Sequence, residues 1–147
     1  MIQSLAKLFE RDLDLLAQEV SAYQKEEKLW ELSGSINNTA GNLCLHLCGN
    51  LQFFIGNVLG KSGYKRNREA EFNDKDIPTG TLLSMIQETK KAVSSSLYAF
   101  DPNLLEMEYP MQVFGKPMTT SFFLIHLAGH LNYHLGQINY HRRLLDA

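Results

Sequence analysis

Apolar residues at Ile2, Leu5, Phe9, Leu13, Leu16, Val20 and Tyr23 recur every three or four positions, with Lys7, Arg11, Asp14 and Gln18 between them. That period gives a helix near residues 2–24 one apolar stripe and one wet face. A second helix is expected near 38–60, because Asn37, Asn38 and Thr39 are N-cap residue types and Gly60, Ser62 and Gly63 close the pattern. Leu82, Ile86, Thr89, Val93 and Leu97 mark a third near 80–99, between Pro78 and Asp101-Pro102. A fourth, near 119–145, starts at Thr119 or Thr120 and ends in His141, Arg142 and Arg143, where positive charge complements the helix dipole.

The connections read differently from one another. Lys25 to Ser35 is a linker carrying Trp30, and the stretch from Lys61 to Pro78 is charged, mixed in sign and without a clear period. Leu104 to Pro117, with Pro110 and Gly115, reads as an extended lid-like loop or short hairpin. The pattern predicts an all-α fold, a four-helix bundle occupying 1–147 as one domain. Helix two is roughly 30 Å long, and the roughly 18-residue connection after it is long enough to run back along it. A crossover between helices two and three, with the two parallel, is therefore expected.

Composition removes several classes of function. Apolar residues make up 44% and charged residues 20%, which suits a folded soluble chain, and the net charge of −2 offers no basic field to nucleic acid. Glu10, Arg11, Asp12 and Asp14 interrupt the N-terminus before an apolar signal segment forms, so a cytoplasmic location is expected. Cys44 and Cys48 are the only cysteines, which is no disulfide framework.

Charge is unevenly spread. No Asp, Glu, Lys or Arg occurs from Leu32 to Gly60 or from Met118 to Tyr140. Helices two and four are therefore expected to be the most buried. Their Asn, Gln and His content argues against a membrane, so surplus uncharged surface on them is assigned to a homodimer seam.

Those two helices also hold all five histidines. His126, His130, His134 and His141 fall within about 80° on helix four, and His46 lies inside helix two. Two imidazoles four residues apart project from one face of adjacent turns and can share an ion at roughly 2.0–2.1 Å. Both His126–His130 and His130–His134 have that spacing, so spacing alone does not choose the pair. Thr39, Asn42, His46, Asn50 and Asn57 share a face of helix two, whereas Cys44 and Cys48 point nearly the opposite way and read as packing residues. The plain alternative is that each histidine is an ordinary bundle residue paired with Tyr133, Tyr140 or a backbone carbonyl.

At these residues the chain resembles the DinB-like, or YfiT-like, family of metal-binding helical bundles. The matching text is NLCLHLCGNLQFFIG around His46 and HLAGHLNYHLGQINYHRRLL around His130 and His134, with GYKRNREAEF after helix two. The resemblance implies an up-down-down-up bundle, often dimeric, with one divalent ion, zinc or nickel, on His46, His130 and His134. His126 falls outside that trio and, with Gln137 and Asn50, is a candidate for the outer shell. Some relatives are thiol-dependent S-transferases or isomerases. The expected function is thus a metal-dependent transferase or hydrolase acting on a small molecule, a small thiol being one partner. Its catalytic group would be a water or thiolate on the ion, since no catalytic side chain can be named. The rival expectation is a non-enzymatic metal- or ligand-binding dimer.

Two other features carry less. Gly56 to Ser62 has three residues between its glycines where a phosphate loop needs four. Lys65, Arg66 and Arg68 lie beside Glu69 and Glu71 and read as a solvated charged loop. The metal reading depends on geometry: the three histidine nitrogens must come within roughly 3–4 Å of one another, about what two Zn–N bonds permit.

Overall fold

In the computed structural model, which describes residues 1–147, the stripes seen in the sequence are the buried faces of long helices. Helix α1 (Ile2–Ala22) buries Ile2, Leu5, Phe9, Leu13, Leu16 and Val20. Helix α2 (Ala40–Leu51) continues into a wider π turn (Gln52–Asn57). A short helix α3 (Arg68–Asn73) lies in the connection that showed no period. Helix α4 (Thr79–Ala99) buries Leu82, Ile86, Thr89, Val93 and Leu97, the residues its pattern marked, and α5 (Thr120–Leu145) closes the chain. There is no strand; Leu104 to Pro117 contributes only an isolated bridge, between Glu108 and Thr119. No helix is long and apolar enough to cross a membrane.

Local chemistry sets the helix ends. Thr39 Oγ1 accepts from Asn42 N at 3.1 Å and starts α2, so Asn37 and Asn38 lie outside it. Thr119 Oγ1 does the same for α5 through Phe122 N. The π turn has a visible cause. Tyr109, buried in the strap before α5, donates its hydroxyl to Phe54 O at 2.6 Å, the carbonyl that a regular ladder would pair with Val58 N. Val58 N goes instead to Phe53 O at 2.9 Å, one residue further back.

Side-chain pairs give the helix directions. Asp12 meets Asn132, and Glu19 meets Asn139 and Arg142, so α1 and α5 run parallel. Asp14 meets Lys90 and Glu10 meets Tyr98, so α4 runs against α1. His46 faces His130 while Phe54 faces Phe123, so α2 runs against α5. At the far end of α2, Gly60 lies so close to Ser96 of α4 that a Cβ there would overlap the Ser96 hydroxyl. The order is up-down-down-up, and the connection from Val58 to Pro78 makes the crossover between the parallel helices α2 and α4. One apolar core draws on all four long helices.

The expectation that both charge-free helices are deeply buried holds for one of them. Every residue of α2 is buried, because α4, α5 and α3 all pack on it. Helix α5 instead leaves Phe122, Ile125, Tyr133, Tyr140 and Leu144 each more than half exposed. The Ala40–Leu51 stretch of α2 has no free surface to offer a second chain.

The polar face of α2 explains how the crossover stays down. Asn42 Nδ2 donates to Glu71 O at 3.0 Å and to Asp74 O at 2.8 Å, and Asn57 Oδ1 accepts from Gly63 N at 2.9 Å. Side chains that would be costly to bury unpaired thus hold the connection against the bundle.

Candidate metal centre

Helix α2 supplies His46 and α5 supplies His130 and His134, one turn apart. His130 stands in the middle, its Nε2 3.2 Å from His46 Nε2 and 3.2 Å from His134 Nε2. The three ligand nitrogens lie within 4.8 Å of one another. His46 is buried, and the other two are half-buried.

The outward nitrogens decide which tautomer each ring holds. His46 Nδ1 lies 3.0 Å from Glu71 Oε1, and a carboxylate only accepts, so the proton sits on Nδ1 and Nε2 presents a lone pair. His134 Nδ1 likewise donates to Gln137 Oε1 at 2.7 Å. Two lone pairs therefore face His130 Nε2, which can donate to only one of them if it carries a proton and to neither if it does not. His130 Nδ1 is buried with no partner. The protein by itself leaves the three facing Nε2 atoms without enough protons between them; a cation would satisfy those three lone pairs, while His130 Nδ1 stays without a partner in the chain.

Glu71 is held from three sides. Arg66 grips it with Nε on Oε2 at 2.9 Å and Nη2 on Oε1 at 3.0 Å, and its carboxylate occupies the space that a Cβ on Gly49 would take. Burial alone would raise the Glu71 carboxyl, but the hydrogen bonds from His46 and Arg66 and the charge of Arg66 outweigh it and hold it below the usual carboxylate range. Burial, then the neighbouring His134 and His46, push His130 down to about 3. Burial also lowers His134, against the Gln137 hydrogen bond. Both imidazoles are neutral near pH 7, the form that ligates.

The other site residues expected from the sequence fall into place unevenly. Gln137 touches the trio, through His134. His126 makes no hydrogen bond to it; it is exposed, stacked 6.2 Å from the His130 ring and packed on Phe114. Asn50 is buried beyond His46 with its Oδ1 unpaired and also makes no bond to the trio. Neither serves as a hydrogen-bonding outer shell, because position on the stripe does not bring a polar atom to a ring nitrogen. His141 is the plain bundle histidine: Nε2 donates to Glu31 O at 2.8 Å, and Nδ1 accepts from Tyr23 Oη at 2.7 Å. Cys44 and Cys48 are buried and free.

The residues that sequence reasoning missed are Arg66 and Glu71, whose segment read as solvated. Asn67 was the available signal, since its Oδ1 accepts from Ala70 N and caps α3. A six-residue helix is too short to show a period.

A comparison with the curated proteins found no match. Over residues 1–147 the chain matches the family described as Protein of unknown function (DUF1572), and it belongs to that family.

Proposed function

We propose that the protein holds one divalent metal ion, zinc, nickel or similar, between His46, His130 and His134, and that it acts on a small molecule as a metal-dependent transferase or hydrolase. The observation that carries this reading is the convergence of three ring nitrogens, two of them with their protons spent on the outward side. Zn–N bonds of roughly 2.0–2.1 Å keep two nitrogens within about 4 Å. His130 already stands within that range of each neighbour, and the outer pair, His46 and His134, lies within 4.8 Å, so an ion would have to draw those two rings together. Imidazole suits zinc and nickel alike. Three protein ligands leave a fourth position open, as in catalytic zinc sites, and a bound ion supplies Lewis acidity there.

The resemblance to DinB-like bundles points the same way and makes a small thiol the first cosubstrate to test. Metal analysis of the purified protein, and of protein reconstituted with zinc or nickel, tests the site. Alanine at His46, His130 or His134 should each remove most of the metal, and His141→Ala should not. Full metal retention in all three variants would sink the proposal.

One observation favours a non-enzymatic metal-binding protein instead. Glu71 is spent on His46 Nδ1 and Arg66, on the side away from the converging nitrogens, so it is not placed as a base at the ion. Assays of metal-loaded protein with small thiols and electrophilic acceptors, and with esters and amides, decide between them. Turnover that disappears in His130→Ala supports the enzyme. The homodimer is proposed for the outer face of α5 alone.

A further inference from the structure

Beside the histidines, a groove of about 700 Å³ opens between residues 33–38 and the last turns of α5. Its apolar lining includes Ile36, Leu43, Tyr140 and Leu144, and no Asp, Glu, Lys or Arg borders it. Each wall is anchored at one end. His141 Nε2 holds Glu31 O at the start of the loop, and Asp146 accepts from Gln24 N and Lys25 N at the end of α5. The groove's volume lies in the range of roughly 300–1,000 Å³ common for small-molecule sites.

Gln137 joins this groove to the histidines. Its Oε1 takes the His134 Nδ1 proton, while its Nε2 makes no hydrogen bond within the chain and is free to donate outward from an exposed side chain that borders the groove. From Gln137 to Leu144 the helix rises about 10 Å, at 1.5 Å per residue.

We propose that this groove binds an uncharged small molecule with an apolar body, lying along Tyr140 and Leu144, and a carbonyl-type acceptor that takes the Gln137 amide proton beside the three histidines. An ionised ligand would lose hydration against a wall that offers no counter-charge, so neutrality is selected by the lining. The proposal names the substrate class of the metal site and rests on that reading only for what happens at the acceptor end; binding in the groove does not require the ion.

The test uses the full chain, with and without added zinc, and the polarity-sensitive naphthyl ketone prodan, with the anionic anilinonaphthalene sulfonate as comparator. Prodan emission should shift to the blue and saturate at one per chain. Leu144→Glu should weaken it about tenfold or more, since a carboxylate must then be desolvated against the dye. Gln137→Glu keeps an acceptor for His134 Nδ1 but removes the donor, so ketone binding should weaken there too. Met107→Glu, exposed in the strap before α5 and outside both the groove and the outer α5 face, should change nothing.

The proposal is overturned by any of four results: no saturation, equal loss in Met107→Glu, tighter binding of the sulfonate, or prodan affinity that falls as the chain dimerises. The last would mean that a second copy fills the groove. His46→Ala separates the two readings, since prodan binding should survive there while the metal is lost. Prodan binding to a wild-type chain that takes up no metal would defeat the metal reading alone.

Discussion

Two of the three converging imidazoles, His46 and His134, turn their lone pairs inward because neighbours hold their protons outward. Glu71 does this for His46, and Arg66 and Gly49 do it for Glu71. Glu71→Gln should lower metal affinity about 10- to 100-fold, the usual effect of losing a partner behind a ligand; zinc titration against a competing chelator measures it. Gly49→Ala should reproduce part of that loss by displacing the carboxylate. Acid should act on the metal-free protein through His130. Its folded value of about 3 lies below the unfolded value near 6.5, so between these pH values the unfolded chain takes up a proton that the folded chain refuses. Its stabilising share is complete above about pH 6.5 and is lost as pH falls toward 3. Urea midpoints between pH 7 and 5, measured with chelator present, should fall more for the wild type than for His130→Gln. Equal falls would show that His130 is not the group being charged.

At the scale of elements, the turn that ends α2 belongs to a side chain about fifty residues further along the chain. Tyr109→Phe should free Phe54 O to take Val58 N and draw the π turn toward a regular helix. The cost should be about 1 kcal/mol or less, because the carbonyl finds a new partner within its own helix. Amide exchange at Val58 and chemical denaturation check the two parts. Both this turn and α3, which is also too short to show a period, depend on contacts that the sequence pattern does not report. Each is made by contacts across the fold, Tyr109 with Phe54 and Asn42 with Glu71, whereas periodicity reports only which face of a continuous helix is apolar.

The whole molecule leaves an uncharged helix face in water. Phe122, Ile125, Tyr133 and Tyr140 line the outer side of α5, and with Ala40–Leu51 of α2 enclosed they form the exposed apolar helix face of the charge-free runs left for a second copy. Light scattering should give twice the chain mass at micromolar concentration, and Tyr133→Glu with Ile125→Glu should give a monomer with unchanged far-UV circular dichroism. A wild-type monomer under those conditions would remove the dimer from the account.

Four helical patterns and two threonine caps were enough to determine the number of long helices, because helix period is a local property, while the long connection after helix two allowed a parallel pair with a crossover without requiring it. The pairing of His130 with His134 rather than His126 was not determined by spacing, since both pairs sit four apart on one stripe. Packing decided it: α2 crosses α5 where His46 meets His130 and His134, and His126 stays at the surface. The burial of Arg66 and Glu71 was decided there too, because a charged pair looks solvated in sequence until the fold shows what covers it.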